Sequence, residues 1–544
     1  MPVVQISVKR LTKMVGADRR KVLDRVPYLG LDIESLVGDT IRVEYSPNRP
    51  DYGTDFGVAR GLRGLLGIET GAPHYAAKPS GVSVSVDRRL TPVRPFISCV
   101  AARGLSLDDE DVRQIISLQE DLHNGLGRRR RVVAIGLHDM DAITAPLAYR
   151  AVDESFRFVP LGGTARKTVR EILRDTSEGQ AYGSVFKGHG PYPVIVDATG
   201  TVLSFPPVIN GEATRVTKRT RDVFVDVTST DRRIGDDVMG VMATTLAEAG
   251  GKLGSVSVSY STGRRTTPDL APATLPVDLP LIRSVTGFDL PRKEVLACLG
   301  KSRLSVKGGT AFAARYRVDL LHPVDLAEEV ALGYGVDRIG PLYPPSKQPG
   351  SFNLFEGYLD SASTVMASEG MIELMTYELT DEKSVYSNFF RPSRDKISVV
   401  DPKSIDHSIL RDSVLPSLMS SLSGNAKSDY PQRVYEIGRV YSRSRKGVAE
   451  SWRLGTLIAH SLASYSEAKA TLESFLVTLC GKEVQTSPED HWAFASGRSA
   501  SVEVDGKAIG HVGEVKPESL DAFGLKVPVS GFEIDLSSLH ELLK

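Results

Sequence analysis

The segment from residue 317 to residue 335, RVDLLHPVDLAEEVALGYG, concentrates four carboxylates where a predicted strand passes into a predicted helix. In the overlapping letters RYRVDLL, apolar and polar residues alternate, which is the pattern of a half-buried strand with Asp319 on its polar side. Pro323 suits the first turn of a helix, and Gly335 suits the position just past its end. The segment therefore predicts a strand followed by a helix of roughly 12 residues.

Three of these carboxylates share one face of the predicted helix. Asp325, Glu328 and Glu329 stand at i, i+3 and i+4, and Asp319 at the strand end adds a fourth. Because like charges repel, we expect something positive beside them. From spacing alone, two explanations are equally good. One is a hard cation such as Mg²⁺, which prefers carboxylate oxygens. The other is water or an arginine beside acidic residues that complement the helix dipole.

Length and composition exclude several classes of protein. The chain has 544 residues, enough for roughly three to five domains. Lys+Arg and Asp+Glu both total 67, and this zero net charge argues against a protein that coats nucleic acid nonspecifically. Widely spaced cysteines favour a reducing compartment and exclude a Cys-rich metal site. With no signal-peptide pattern and no long apolar run, we expect a cytoplasmic protein.

Periodicity and composition along the chain predict an α+β multidomain protein. Residues 1–80 form an amino-terminal domain in which the turn SPNRPD leads into a buried helix, which Asp55 can cap. Residues 90–260 form a second α+β domain, and the polar stretch 261–275 is a predicted linker. Residues 270–345 form a small helix-rich domain. The proline-rich stretch 341–351 is the clearest boundary, before a last region over residues 350–544.

One strand of the second domain carries a polar wall. In DVFVDVTST the valines point one way, while Asp226, Thr228 and Thr230 point the other. Asn210 and Gly211 lie in a preceding turn, where backbone N–H groups can be presented to a ligand. The wall is typical of a site that binds a ligand by hydrogen bonds. The alternative is a threonine-rich edge strand with ordinary cross-strand pairs.

A run of four arginines, Arg128 to Arg131, precedes another buried strand of this domain. Such a run can bind RNA phosphates, but it is more often a solvated entry to a strand. The sequence leaves both explanations open.

Several long segments resemble the beta subunit of phenylalanyl-tRNA synthetase in its archaeal and eukaryotic form. SPNRPD followed by GVARGLRGLLGIE is similar to the amino-terminal region of that family. SLQEDLHNGLGRRRRVVAIGLHDMD is similar to its B3/B4 domain, and VTGFDLPRKEVLACLGKSRLSV to its B5 domain. Residues 350–544 resemble its class II synthetase-like, antiparallel-sheet core. The resemblance covers the whole chain.

The resemblance implies an editing pocket. In this family the B3/B4 domain hydrolyses tyrosine mistakenly attached to tRNA(Phe), which assigns Asn210, Gly211, Asp226, Thr228 and Thr230 to that pocket. No Ser-His-Asp or Cys-His pair is apparent there, so we expect a positioned water to attack the ester. Groups that hydrogen-bond a phenol accept tyrosine and reject phenylalanine by up to about 10⁵-fold. Gly211 departs from the serine that many members of the family carry.

The resemblance also implies a metal site, since Asp319, Asp325, Glu328 and Glu329 in DxxxxxDxxEE match the magnesium-binding carboxylates of the family. This match favours Mg²⁺ over the other explanation of the acidic face.

The resemblance further implies a partner subunit. A catalytic class II core needs an arginine on the ATP α-phosphate and a glycine-rich motif that ends in arginine. Arg411 in LRDS is a candidate for the first, but the second is missing, so we expect a non-catalytic core without cofactor-binding residues. The family packs this core against a catalytic alpha subunit, which binds ATP and L-phenylalanine, in a two-alpha, two-beta tetramer. Together the subunits join phenylalanine to tRNA(Phe) with ATP and Mg²⁺.

Two other functions remain open from the sequence. One is a free-standing deacylase of mischarged tRNA, which needs no alpha subunit. The other is a non-enzymatic tRNA-binding scaffold, which the missing nucleotide motif allows.

Overall fold

The computed structural model describes residues 2–186, 190–345, 349–445 and 447–544. The chain divides into two compact units, Met1–Tyr343 and Pro344–Lys544. Within these described ranges, no helix has the length and apolar character needed to span a membrane.

The amino-terminal part of the first unit packs three helices against a three-stranded antiparallel sheet. Its elements are β1 (Val3–Ser7), α1 (Val8–Val15), α2 (Arg19–Arg25), β2 (Asp32–Val37), β3 (Thr40–Glu44) and α3 (Asp55–Leu65). The SPNRPD turn enters α3 through a short 3-10 turn, Pro50–Gly53. Thr54, rather than the predicted Asp55, caps α3, because its side chain accepts the N–H of Gly57.

A ten-stranded sheet with two long helices forms the second part of this unit. Its elements are β4 (Lys78–Val86), β5 (Phe96–Arg103), α4 (Asp109–Asn124), β6 (Val133–Asp139), β7 (Leu147–Val152), β8 (Arg157–Phe158), β9 (Lys167–Thr168), α5 (Val169–Asp175), α6 (Ser177–Tyr182), β10 (Tyr192–Val196), β11 (Val202–Phe205), β12 (Ile209–Asn210), β13 (Val223–Ser229), α7 (Arg232–Glu248), β14 (Lys252–Tyr260) and β15 (Gly263–Thr267). The strand order is β12-β11-β10-β7-β4-β14-β5-β13-β6, with β15 beside β14 and with β8 and β9 as a separate pair.

Strand β13 has the two faces that its alternation predicts. Val223, Val225 and Val227 pack in the core with residues of α4 and α7. Phe224 packs in a different core on the other side of the sheet. The period-two pattern of β13 is therefore confirmed.

Two predicted boundaries differ from the structure. The sheet begins at Lys78, because β4 runs parallel to β14, whereas the predicted domain begins at residue 90. The predicted linker over residues 261–275 contains β15, which forms an antiparallel hairpin with β14. Within the described part of the chain, strand β15 pairs with β14 alone. It is largely exposed, so its residues are polar like those of a linker.

The third part of the first unit packs three helices against a small antiparallel sheet of order β16-β18-β17. Its elements are β16 (Ala273–Pro276), α8 (Leu279–Thr286), α9 (Arg292–Lys301), β17 (Ser305–Lys307), β18 (Thr310–Ala313) and α10 (Asp325–Tyr334). Helix α10 starts two residues later than predicted and ends as predicted before Gly335, whose φ of 102° favours glycine. The predicted strand over residues 315–321 is wrong, because this stretch turns and buries both Tyr316 and Arg317.

The second unit is a seven-stranded sheet with helices on both faces. Its elements are α11 (Leu354–Ser368), β19 (Ile372–Glu373), β20 (Leu379–Thr380), α12 (Glu382–Val385), β21 (Ile397–Ser398), β22 (Ile409–Leu410), α13 (Leu415–Gly424), β23 (Gln432–Ser444), β24 (Gly447–Ala459), α14 (Tyr465–Cys480), β25 (Gln485–Pro488), β26 (Phe494–Val504), β27 (Lys507–Val515), α15 (Pro517–Phe523), β28 (Val529–Asp535) and α16 (Leu536–Leu543). The order is β19-β23-β24-β28-β27-β26-β25, antiparallel except where β19 meets β23. Strands β20, β22 and β21 form a separate small sheet.

Candidate active site

A cavity of about 450 Å³ lies in the second part of the first unit. It lies between β6 and the β11–β12 turn, and β6 and β12 are the two end strands of the long sheet. The side-chain amide of Asn210 on β12 contacts the carbonyl of Leu137 on β6 at 3.4 Å, so the two ends of the sheet approach each other here. Helix α4 lines another side through Ile115, Ile116 and Gln119. A cavity of this size is suited to a small organic ligand or one end of a larger molecule.

Asp226 lines this cavity although it lies on β13, one strand in from the edge. Its partner on the edge strand β6 is Gly136, which has no side chain. A Cβ atom at residue 136 would lie 2.0 Å from Asp226 Oδ2. Glycine at this position therefore provides the space that the Asp226 carboxylate occupies.

His138 holds the Asp226 carboxylate in place. His138 Nε2 lies 3.0 Å from Asp226 Oδ2, and His138 Nδ1 lies 2.9 Å from Thr214 Oγ1. All three side chains are buried. When Asp226 is ionised, Nε2 donates to it and Nδ1 accepts the Thr214 hydroxyl, which fixes both the tautomer and the ring orientation.

The sequence analysis missed His138 and Thr214. Residue 138 is two positions along β6 from Gly136, and Gly136 is the register partner of Asp226. A histidine at the diagonal position could have been found once the β6–β13 register was known. The sequence alone does not provide that register.

A second histidine in the cavity wall is locked in one tautomer. His123 Nε2 accepts the backbone N–H of Ile135 at 2.8 Å, so Nδ1 carries the proton and donates to Glu120 Oε1 at 3.1 Å. Burial lowers the pKa of His123. The contact with His123 and the charge of Arg130 hold the pKa of the Glu120 carboxyl below its usual range. His123 therefore shapes the wall and has no free nitrogen to act as a base.

The structure brings three of the five predicted pocket residues to the cavity, namely Asn210, Gly211 and Asp226. Thr228 and Thr230 are not among its lining residues. Thr228 lies two residues beyond Asp226, where its hydroxyl accepts from Arg94 Nε at 2.9 Å. Thr230 is exposed beyond the end of β13. Alternation predicts the face of a strand but not how far along that face a cavity extends.

Gly211 is explained by its backbone surroundings. Its N–H donates to the Leu203 carbonyl at 2.7 Å, and a Cβ atom would lie 2.1 Å from the Val202 carbonyl oxygen. A serine at residue 211, as the resemblance led us to expect, would therefore need a shift of the backbone. The cavity wall at this point is formed by main chain.

Arg317 neutralises two of the four carboxylates that were predicted to bind Mg²⁺. It donates to the two oxygens of Asp319 at 2.9 and 2.7 Å and forms an ion pair with Glu329. Arg317 and Glu329 are buried. The predicted strand would have placed Arg317 at the surface, and because that strand does not form, the guanidinium lies between these two carboxylates.

The other two carboxylates have separate environments. Asp325 Oδ2 accepts the backbone N–H groups of residues 321 and 322 at 2.6 and 2.7 Å, and Glu328 is exposed on the next turn of α10. Among the residues that the structure describes, no group of three or more His, Cys, Asp or Glu side chains could hold a metal ion. The four carboxylates therefore do not fit a Mg²⁺ ion held by this chain alone.

The SPNRPD turn belongs to a buried network of charges in the first unit. Asp51 accepts two hydrogen bonds from Arg49, at 2.9 and 3.0 Å, and one from Arg60 at 2.8 Å. Arg60 also pairs with Glu248 at the end of α7 and lies 3.5 Å from the ring centroid of Tyr316. Burial opposes ionisation of Asp51, but the two arginines outweigh it and hold its pKa at about 2. The turn thus connects all three parts of the first unit.

Arg411, the candidate ATP-binding arginine of the second unit, is engaged within the fold. Its Nη1 donates to Glu436 at 2.7 Å and to the Thr376 hydroxyl at 2.8 Å, and its Nε donates to the Arg439 carbonyl at 2.9 Å. Arg411 and Glu436 are both buried, so the charge of Arg411 is neutralised.

Three family models match the chain over consecutive stretches. They are described as B3/4 domain at residues 110–238, tRNA synthetase B5 domain at residues 275–336, and phenylalanyl tRNA synthetase beta chain CLM domain at residues 342–536. The phenylalanine–tRNA ligase beta subunit of Archaeoglobus fulgidus is 40% identical, and the match covers 99% of this chain and 99% of that protein. The chain belongs to the phenylalanine–tRNA ligase beta-subunit family. The family expected from its sequence segments is confirmed, and the chain is part of an aminoacyl-tRNA synthetase.

Two further relatives agree. The phenylalanine–tRNA ligase beta subunit of Methanococcoides burtonii is 36% identical, covering 99% of this chain and all of that protein. The crystal structure of an N-terminal fragment of the Pyrococcus horikoshii phenylalanyl-tRNA synthetase beta subunit is 36% identical, with a TM-score of 0.59. It covers 61% of this chain and 100% of that fragment. In this chain, the B3/4 match over residues 110–238 includes the cavity residues Asn210, Gly211 and Asp226.

Proposed function

We propose that this beta subunit acts with an alpha subunit in the cytoplasm to attach L-phenylalanine to tRNA(Phe) using ATP and Mg²⁺, and that its cavity hydrolyses Tyr-tRNA(Phe). The observation that carries the proposed hydrolysis is a buried carboxylate, Asp226, in a cavity that α4 also lines with the apolar side chains of Val112, Ile115 and Ile116. Such a site accepts an aromatic side chain that ends in a hydrogen-bond donor.

The carboxylate of Asp226 is the proposed recognition element for the tyrosine phenol. His138 contacts only Oδ2, and Oδ1 accepts no hydrogen bond from the described part of the chain. The phenol hydroxyl donates to Oδ1, whereas phenylalanine brings no hydrogen-bond donor to this oxygen. Sites that bind a substrate hydroxyl in this way reject the analogue without it by about 10⁴–10⁵-fold.

Ser204 and Asn210 are the proposed ligands of the attacking water. They are directly paired across β11 and β12 and both line the cavity. Ser204 Oγ is buried and has no hydrogen-bond partner among the described residues, so a water or substrate atom there would satisfy it. The water attacks the ester carbonyl between tyrosine and the terminal ribose. The ester C–O bond then breaks, releasing free tyrosine and a tRNA hydroxyl.

The deciding experiment is deacylation of Tyr-tRNA(Phe) by the reconstituted alpha–beta complex. We expect rapid release of tyrosine with Phe-tRNA(Phe) spared. A complex that still aminoacylates but hydrolyses Tyr-tRNA(Phe) no faster than buffer would show that the cavity is not an editing site.

An exposed apolar patch on the second unit is the proposed contact with the alpha subunit. It is formed by two neighbouring chain segments joined through the small sheet of β20, β22 and β21. Met375 is 93% exposed, Val400 88%, Ile405 81% and Tyr377 78%. Apolar patches of this kind on soluble proteins mark protein–protein contacts.

Since Arg411 is neutralised by Glu436, we assign ATP and L-phenylalanine to the alpha subunit of a two-alpha, two-beta tetramer.

We expect Met375→Asp/Tyr377→Asp to weaken the association of beta with alpha by at least about 30-fold, because central apolar residues dominate interface energies. Sedimentation analysis of mixed subunits measures both the affinity and the stoichiometry. Leu462→Asp is the matched control, since Leu462 is 81% exposed outside the patch. Equal affinities for all three proteins would remove the patch from the interface.

For the acidic helix, we propose that Asp325 and Glu328 contribute to a Mg²⁺ site completed by ligands from outside this chain. Glu328 is exposed, and among the described residues only Oδ2 of Asp325 accepts hydrogen bonds. Calorimetry should detect no Mg²⁺ binding that depends on Asp325 in the beta subunit alone. In the alpha–beta complex, Asp325→Ala/Glu328→Ala should remove one Mg²⁺ site, with Asp289→Ala as an exposed-carboxylate control. If the wild-type complex and the Asp325→Ala/Glu328→Ala complex gave the same Mg²⁺ isotherm, the site would be rejected.

A further inference from the structure

The arginine run between α4 and β6 forms a left-handed turn. Arg128, Arg129 and Arg130 have φ values of 48°, 55° and 61°, a conformation that side chains other than glycine rarely adopt. Backbone hydrogen bonds close the turn, including Arg130 N–H to the His123 carbonyl and Val132 N–H to the Gly127 carbonyl. Three consecutive residues of this kind persist only where the surroundings impose them, and such strain clusters at binding sites.

The buried side chain of Arg94 stabilises this conformation by hydrogen bonds to the backbone. It is 1% exposed and donates to the carbonyls of Arg130, Arg131 and Val132 at 3.2 to 3.4 Å. Its remaining donors contact the carbonyl and the hydroxyl of Thr228 at 3.0 and 2.9 Å. No carboxylate is among these partners, and burial lowers the pKa of Arg94 to about 10. The buried guanidinium of Arg94 therefore fixes the orientation of the carbonyl groups of residues 130–132.

The side chains of the turn differ in what they contact. Arg130 lines the cavity, where it pairs with Glu120 at 2.8 Å and donates to the Val208 carbonyl. Arg128, Arg129 and Arg131 are exposed, and none of them forms an ion pair with the residues that the structure describes. The turn therefore carries uncompensated positive charge beside the cavity. Arg215, which also lines the cavity, pairs with Glu212 at 3.2 Å and therefore adds no free cation.

We propose that the left-handed arginine turn, residues 128–131, binds backbone phosphates of the RNA whose aminoacylated end enters the cavity. The substrate of such a cavity is attached to a nucleic acid, so phosphates must pass its entrance, and arginine is well suited to phosphate oxygens. Because the buried Arg94 already holds the backbone of the turn, only the exposed arginine side chains must be ordered on binding, which lowers the entropic cost. A solvated strand entry would need neither the strain nor the buried Arg94. This inference rests on the proposed editing function.

The test measures binding of the alpha–beta complex to an RNA minihelix with the acceptor stem of tRNA(Phe) and its single-stranded 3′ end. For Arg128→Gln/Arg129→Gln we expect the Kd to rise about tenfold at low salt. The slope of log Kd against log salt should fall by about 1.5, as expected for two lost phosphate contacts. In Tyr-tRNA(Phe) deacylation the KM should rise while kcat stays within about twofold, because the cavity itself is unchanged.

Two further variants separate charge from backbone strain. Arg233→Gln/Arg264→Gln removes two exposed arginines of the same domain that do not line the cavity, and should leave Kd and slope unchanged. Arg128→Gly/Arg129→Gly relieves the left-handed strain, so it should raise the melting temperature and still weaken RNA binding. An unchanged Kd and salt slope in both turn variants, or an equal loss in the control, would overturn the inference.

The outcomes also separate this inference from the editing function. Turn-dependent minihelix binding in a complex that releases no tyrosine would reject editing and keep the RNA site. Tyrosine release with turn-independent binding and KM would reject the RNA site alone.

Discussion

Asp226→Asn is expected to lower the rate of Tyr-tRNA(Phe) hydrolysis by the alpha–beta complex by at least about 100-fold. Asparagine has nearly the same shape, and its carbonyl can still accept the His138 Nε2–H, so the buried arrangement with Thr214 is retained. The negative charge that attracts the phenol is lost, and the amide places a donor where the phenol also donates. Tyrosine release from purified Tyr-tRNA(Phe) measures the effect, and aminoacylation should be unchanged.

Thr230→Ala is the control for this prediction. The residue was assigned to the same polar wall from sequence, but it is exposed beyond the end of β13, so we expect a wild-type rate. Wild-type hydrolysis in Asp226→Asn would remove Asp226 from the site. A similar loss in Thr230→Ala would show that the wall extends further than the cavity.

Arg317→Ala is expected to reduce the free energy of unfolding of the first unit by about 3–5 kcal/mol. The substitution leaves the carboxylates of Asp319 and Glu329 without the cation that they share, and Glu329 is buried. Removing one member of a buried ion pair costs the desolvation of the charge that remains. Urea unfolding of the intact chain, monitored by far-UV circular dichroism, measures the free energy of the transition that belongs to residues 1–343.

Two companion variants make this prediction specific. Arg317→Lys keeps the charge but cannot bridge two carboxylates with a planar fork, so we expect an intermediate loss. Arg264→Ala removes an exposed arginine without an ion pair to the described residues and should change stability by less than about 0.5 kcal/mol. If Arg317→Ala unfolded at the same urea concentration as Arg264→Ala, the arginine would not stabilise this cluster.

Local patterns predicted several elements correctly because local physics determines them. The valines of β13 alternate over a buried face, and α10 ends where Gly335 adopts a positive φ. Edge and turn regions were predicted less well. The segment 315–321 alternates as a strand would, yet it pairs with no strand of the described residues and turns instead. Strand β15 shows the opposite case. Its polar sequence predicted a linker, but pairing with β14 makes it a strand.

The residues of the candidate site likewise include some that local sequence patterns predicted and some that only long-range pairing brings to the cavity. Asp226, Asn210 and Gly211 were predicted from a polar wall and a turn, and the structure places them around one cavity. His138 joins them only through the β6–β13 register, which depends on contacts between segments far apart in the chain. The role of Gly136 is likewise visible only once its neighbour across the strand is known.

The sequence by itself determined the family, the order of the domains, the faces of the amphipathic elements and the residue types available for chemistry. These follow from local periodicity and from motifs that lie within single segments. Only the tertiary structure decided that Arg317 lies between the acidic residues, that Arg94 holds the arginine turn, and that Asp226 opens into a cavity over Gly136. The physical reason is that a buried charge takes its partner from whichever segment packs against it, and that packing is long-range.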